Sequence, residues 1–256
     1  MDLTVLGCSG SYPGPDSPAS GYLVEAEGAR LVMDLGNGVL SALQARLDPF
    51  AVDALLLSHL HPDHCADVSA LTVLRRYHPA PPYDPRQRRL VVHAPSEAPD
   101  RLAAAYAPSA AERAETDLSD VFDFRALGSE PFRVGPMTVT AVPVAHPCEA
   151  YGFRIEHDGV VLAYTGDTGP CPALVDLARD ADVLLAEASW THSPDRPADL
   201  HLSGQDAGTV AAKAGVRRLL LTHVPPWTSA DAVLAEARTV FDGPVELVAA
   251  GRSYRI

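Results

Sequence analysis

Ser58-His59-Leu60-His61-Pro62-Asp63-His64 places three imidazoles and a carboxylate within six positions, directly after the apolar run Asp53-Ala-Leu-Leu-Leu. That run is continuous rather than alternating, which suits a strand buried on both faces. Pro62 fits the first residue of a helix, because its fixed φ is helical and its missing N–H is not needed there. The helix would carry Val68, Leu71, Val73 and Leu74 inward. Crowded histidines repel one another when protonated and leave ring nitrogens unsatisfied when buried, unless a cation collects the lone pairs. Imidazole with carboxylate is the ligand set of Zn2+, with Mn2+ or Fe2+ as alternatives. An isolated histidine carries no such implication, and His78, His93, His157 and His192 read as ordinary core or surface groups.

Outward from this stretch, strands are expected at Leu3–Leu6, Gly21–Ala26 and Leu31–Leu35, the last two a hairpin through Glu27-Gly28. Val39–Leu47 has helical spacing. Leu90–His93 resumes a strand, and Ala98–Ala114 is Ala-rich and reads as a helix interrupted at Pro108. A second strand series follows at Val134–Val144, Tyr151–Glu156 and Val160–Thr165, with Asp158-Gly159 a strong turn signal. Helix and strand then alternate through Ala173–Arg179, Val183–Ala186, Gln205–Ala214, Arg218–Thr222, Ala230–Phe241 and Val245–Val248. Two strand-rich blocks, each followed by helices, suggest an α/β chain of two sheets packed face to face with helices outside, a four-layer αβ/βα sandwich. Residues 1–256 then form one domain of two similar halves meeting near 125–140.

The chain has 47% hydrophobic and 21% charged residues and no apolar run of membrane-spanning length. No basic and apolar leader opens it, so a cytoplasmic location is expected. Cys8, Cys65, Cys148 and Cys171 are too scattered for a disulfide framework or a C-x-x-C site, and are expected as free thiols. Twenty Lys and Arg against 33 Asp and Glu give −13. Residues 75–89, with five Arg, four Pro and one Asp, read as a stiff basic loop, leaving the rest acidic and ill suited to polyanions.

His59-x-His61-x-Asp63-His64 resembles the H-x-H-x-D-H element of the metallo-β-lactamase fold superfamily, matching at all four positions. The superfamily's remaining ligands have clear counterparts, each after an apolar run: His146, Asp167 and His223, spaced by 82, 21 and 56 positions from His64 onward. The resemblance implies two divalent metal ions, one on His59, His61 and His146, the other on Asp63, His64 and His223, with Asp167 bridging. Such a pair, ~3.5–4 Å apart, lowers the pKa of a shared water and clamps the oxygens of a phosphoryl or acyl centre. Asp63 would also orient or deprotonate that water.

Leu6-Gly7-Cys8-Ser9-Gly10-Ser11-Tyr12-Pro13 is similar to the glycine-rich opening of the ribonuclease Z-like branch, with Cys8 a departure from its usual small residue. Ala186-Glu187-Ala188-Ser189 and Leu200-His201-Leu202-Ser203 resemble that branch's paired elements, whose Glu and His relay a proton to the leaving oxygen; here these are Glu187 and His201. The branch's tRNA enzymes carry a basic arm between the bridging aspartate and the late histidine, which no segment here matches. The expectation is therefore a phosphodiesterase for small or cyclic nucleotide phosphodiesters, working through a metal-bridged hydroxide and, like many relatives, as a homodimer. A tRNA 3′-processing endonuclease is the alternative, followed by an acyl hydrolase such as a thioesterase or lactonase.

Overall fold

Three apolar clusters, of 26, 23 and 20 buried residues, organise the computed structural model, which describes residues 1–256. Three apolar interfaces require four layers. The first sheet contains β1 (Asp2–Gly7), β2 (Gly21–Ala26), β3 (Ala29–Met33), β4 (Ala54–Leu56), β5 (Leu90–Ala94) and β6 (Phe122–Ala126). The second contains β7 (Phe132–Val134), β8 (Met137–Pro143), β9 (Tyr151–His157), β10 (Val160–Tyr164), β11 (Val183–Glu187), β12 (Leu219–Thr222) and β13 (Val245–Leu247). The chain passes from one to the other between Ala126 and Phe132. The last strand, β14 (Ser253–Arg255), returns to the first sheet and pairs antiparallel with β1.

The sheets share one plan. From β14 through β1, β2 and β3 the pairs are antiparallel, and from β3 through β4, β5 and β6 they are parallel. From β7 to β10 the pairs are again antiparallel, and from β10 through β11, β12 and β13 parallel. Side chains alternate across each strand, so Ala54 and Leu56 of β4 face the opposing sheet while Leu55 and Leu57 face the helices. Both faces are dry, which is why the run preceding His59 is apolar without alternation. The helices α1 (Val39–Gln44), α2 (Pro62–Cys65), α3 (Val68–Tyr77) and α4 (Ala98–Tyr106) precede the second sheet in the chain. The remaining three, α5 (Ala173–Leu177), α6 (Gly204–Ala214) and α7 (Ala230–Val240), lie between or after its strands. The architecture is the αβ/βα sandwich expected from the strand blocks.

Several local expectations are corrected. Pro62 does open a helix, but that helix stops at Cys65, and a separate one starts at Val68. On this second helix Val68 and Leu71 are buried, while Val73, about 200° round from Leu71 at 3.6 residues per turn, is 49% exposed. The helix from Ala98 ends at Tyr106, because the residue before a proline is pushed out of the α region and Pro108 follows one step on. Val134–Val144 is two strands, parted by a turn at Gly135-Pro136 whose glycine has φ 56°. β6 and β14 lie outside the expected strands.

The basic loop is also revised: Arg75 and Arg76 belong to α3. Arg75 is 2% exposed; its Nε and Nη2 donate to the Val121 and Arg88 carbonyls at 3.3 and 2.9 Å, and its guanidinium lies over the Phe50 ring. Arg76 pairs with Asp120. Two of the five arginines therefore hold the fold together. Replacing Arg75 with Met strands those carbonyls without a donor and should lower the unfolding free energy by about 2–3 kcal/mol. Arg86→Ala should stay within about 0.5 kcal/mol, since Arg86 is exposed. Urea titrations of the two variants check the contrast.

Candidate metal centre

Each expected metal ligand leaves from the carboxyl end of a strand, the edge at which open α/β sheets assemble sites. His59 and His61 follow β4, with His61 capping α2, which carries Asp63 and His64. His146 follows β8, Asp167 follows β10, Glu187 ends β11, and His223 comes immediately after β12. His201 precedes α6 but does not cap it; Ser203 does, in a reciprocal capping box with Asp206. The backbone is packed tightly here. A Cβ on Gly36 would lie 1.9 Å from the Asp63 carbonyl oxygen, and one on Gly10 would lie 2.3 Å from that of His223. His223 itself has φ 56°, an uncommon conformation for a non-glycine residue.

The structure brings the seven expected ligands into two adjoining groups. Ligand atoms of His59, His61 and His146 lie within 4.8 Å of one another, as do those of Asp63, His64, Asp167 and His223. His61 Nδ1 is 3.0 Å from His59 Nε2 and 3.2 Å from His146 Nε2. In the second group His64 Nε2 and His223 Nε2 are 3.3 Å apart, and Asp63 Oδ2 is 3.1 Å from His223 Nε2. Tetrahedral ligands about 2.0–2.1 Å from zinc stand roughly 3.3–3.4 Å from each other, so this spacing suits a cation at the centre of each group. Asp167 lies between the groups, its Oδ2 3.8 Å from His59 Nε2 and 3.3 Å from His223 Nε2. Its Oδ1 is buried without a hydrogen-bond partner, although His64 Nε2 is 3.2 Å away.

The outer ring nitrogens point the same way. His59 Nδ1 meets Ser58 Oγ at 3.1 Å, His64 Nδ1 meets Asp34 at 2.8 Å, His146 Nδ1 meets the Leu200 carbonyl at 3.0 Å, and His223 Nδ1 meets Ser189 Oγ at 2.9 Å. A ring that donates through its outer nitrogen presents a lone pair inward, the tautomer a metal ligand needs. The donor set fits a dinuclear metal site.

Electrostatics divide the imidazoles into two kinds. Burial holds His59 well below its ordinary pKa and brings His146 down to about 4, so both keep their lone pairs free at neutral pH. Burial pulls His64 down too, but the Asp167 and Asp34 carboxylates override it and raise it well above the ordinary value. Burial would raise Asp63 and Asp167, yet their histidine neighbours hold both below the usual carboxylate range. These buried carboxylates call for positive charge at this point of the site. His201 is likewise opposed by burial, and Glu187, whose Oε1 accepts from His201 Nδ1 at 3.0 Å, lifts it to about 9.

Four positions escaped the sequence reading. Asp34, with φ 58°, is fully buried and accepts from Ser58 N and Oγ, His64 Nδ1 and Tyr164 Oη at 2.7–2.9 Å. Ser189 donates to Glu187 Oε2 at 2.8 Å and meets His223, so it links the Glu187–His201 pair to the second donor group. The signal for Asp34 was a lone acidic residue closing an apolar strand, Leu31-Val-Met-Asp34, before Gly36-Asn-Gly38. Tyr164 was hidden inside a run read as a strand, and Ser58 was overshadowed by the histidines that follow it.

A beta-lactamase superfamily domain spans residues 18–224. The chain belongs to that superfamily. An uncharacterized protein of Mycobacterium tuberculosis is 53% identical over 257 residues, 99% of this chain and 92% of its own length. The probable metallo-hydrolase YhfI of Bacillus subtilis is 29% identical over 263 residues, 98% of each protein. In its crystal structure YhfI has the metallo-β-lactamase fold, with a TM-score of 0.84 and 99% of both chains covered. Ribonuclease Z of Mycobacterium marinum is 31% identical over 276 residues, 96% of this chain and 95% of its own. The chain is thus a metallo-hydrolase of the ribonuclease Z-like branch, as its motifs implied. No helix is long and apolar enough to cross a membrane.

Asp34→Asn keeps the side chain's shape and removes its charge, so His64 loses the acceptor that fixes its ring. Metal affinity should fall by about 10–100-fold, read by competition with a fluorescent chelator. An unchanged affinity would show that packing alone orients His64.

Proposed function

We propose that the chain hydrolyses the phosphodiester bonds of small or cyclic nucleotides. The observation that carries this reading is the His201–Glu187 pair standing 3.8 Å from Asp167, at the edge of the metal-binding groups. A departing alkoxide needs a proton, and an imidazole raised by a buried carboxylate arrives protonated at neutral pH. A departing thiolate needs none, which sets thioesters below phosphodiesters.

On this reading His59, His61 and His146 would hold one divalent ion and Asp63, His64 and His223 the other, with Asp167 available to both; Zn2+ is the first match to the ligands. The ions supply Lewis acidity and a water ionised near neutral pH. Asp63 gives one carboxylate oxygen to this set and keeps a second to orient the attacking water and take its proton. His201, with Nδ1 committed to Glu187, carries the donated proton on Nε2. Glu187 is anchored by Thr168 N at 2.8 Å and by Ser189, so the donor is held in one orientation. His201 and Glu187 thus act on the leaving group, and Asp63 on the nucleophile.

Ribonuclease Z relatives favour a second reading, tRNA 3′ processing. Against it, the interval from Asp167 to His223 holds α5, β11, α6 and β12, with no protruding basic arm, and the chain carries −13. Phosphate contacts dominate nucleic-acid affinity, so such a surface favours a short substrate. A panel of 2′,3′- and 3′,5′-cyclic nucleotides, bis(p-nitrophenyl) phosphate, precursor tRNA and a thioester, assayed with one metal-loaded sample, separates these readings. Efficient tRNA cleavage with the small diesters left intact would reverse the ranking.

Two variants test the roles. His201→Ala should retain metal and lose about 10²–10⁴ in kcat, whereas Asp63→Ala should lose metal and activity together, as metal analysis beside kinetics will show. An acid works only while protonated, so activity should decline as pH rises through the pKa of His201. Glu187→Gln removes the charge that raises it, and the alkaline limb of the kcat profile should move to lower pH; a limb that stays put assigns it elsewhere.

A further inference from the structure

A cavity of about 530 Å³ opens beside His201 and Ser189, within the roughly 300–1,000 Å³ range of small-ligand pockets. Both tryptophans of the chain, Trp190 and Trp227, line it. The Trp190 ring stands edge-on to His201, 5.2 Å between centroids, and the Arg196 guanidinium lies 5.1 Å from the Trp190 centroid. Arg196 is exposed, and no carboxylate takes it as an ion-pair partner in a chain where acids outnumber bases 33 to 20. Trp227 is 67% exposed and lies against Tyr12, 43% exposed, with centroids 5.1 Å apart. Only four large apolar side chains are exposed on the whole molecule, and two of them form this pair at the cavity mouth. A concentration of exposed aromatic surface beside a site marks a contact for something flat. Only three of the eleven lining residues are hydrophobic, which is unsuited to an acyl chain.

Because His201 lines the cavity, the group bonded to the oxygen it protonates lies there. We propose that this cavity is a nucleobase site: Trp227, backed by Tyr12, stacks the base of the nucleoside whose oxygen is released from phosphorus, and Trp190, held by Arg196, forms the opposing wall. The proposal rests on the phosphodiesterase reading and names the part of the substrate that sets specificity. Stacking grows with ring area, so purines should be preferred over pyrimidines.

Tryptophan fluorescence reads this without turnover, since every tryptophan in the chain lies in the cavity. AMP added to the metal-loaded protein should quench emission and saturate, whereas ribose 5-phosphate, the same phosphate without a base, should not. Trp227→Ala should weaken AMP binding and raise KM for 3′,5′-cyclic AMP by roughly tenfold, the size expected for loss of one base stack, with kcat within about twofold. Trp227→Phe should restore most of both. The advantage of cyclic AMP over cyclic CMP should shrink in Trp227→Ala. Equal binding of AMP and ribose 5-phosphate, or an unchanged KM in Trp227→Ala, overturns the base site while leaving phosphodiesterase activity intact. Base-dependent quenching in a protein inert on every phosphodiester instead overturns the catalytic reading and keeps the site.

Discussion

The buried carboxylate of Asp34 is the contact on which the rest of the centre depends. An ionised carboxylate is costly to bury unless its oxygens are met by donors. Here Ser58 supplies two donors, His64 one and Tyr164 one. Ser58 belongs to the segment leaving β4, His64 to α2 and Tyr164 to β10, so one side chain joins the helix that carries Asp63 and His64 to both sheets. The left-handed backbone of Asp34 is the strain tolerated to aim it there. Gly36, pressed against the Asp63 carbonyl, continues the same clamp, and Leu35 N donates to the His64 carbonyl at 2.7 Å. The ligand cluster is therefore fixed from behind before any ligand atom is considered.

Glu187 plays the matching part in the second sheet. It too is fully buried at a strand end, and it too is satisfied, by Thr168 N, Ser189 Oγ and His201 Nδ1. The two carboxylates differ in what they hold. Asp34 orients a histidine whose inner nitrogen faces the donor groups, while Glu187 orients one that lines an open cavity. Imidazoles of one chemical type are thereby pushed in opposite directions: His146 is kept neutral by burial and His201 is kept protonated by its partner. Environments that drive like groups apart let one site hold both neutral imidazoles with free lone pairs and a protonated one.

The fold class and the donor cluster were legible because each was over-determined by sequence. Three histidines and an aspartate in six positions have no bland explanation, and long apolar runs at both ends of the site specify central strands. Legibility failed where one residue had to speak alone. Asp34 sits in no dense motif, and its role arises from Tyr164, 130 positions away. β14 has only three residues and owes its existence to β1 rather than to its own pattern. Val73 was misplaced because it stands about 200° round the helix from Leu71, so one buried face cannot carry both. For Asp34 and β14 the deciding contact lay far off in the chain.

Charge was the least legible property, because counting treats every arginine alike. The segment 75–89 holds five of them, yet Arg75 is spent on buried carbonyls, Arg76 on Asp120 and Arg89 on the Ser119 carbonyl, while Arg86 and Arg88 stay exposed. A guanidinium so engaged must break a contact before it can meet a phosphate. Arg196 breaks nothing of that kind: it rests on an aromatic face, a contact that leaves its donors free. An acidic surface with one such cation beside the cavity repels a long polyanion at most points of contact and can still attract a short one there. Where an arginine stands, and what already holds it, therefore says more about which phosphate it can meet than the net charge of the chain does.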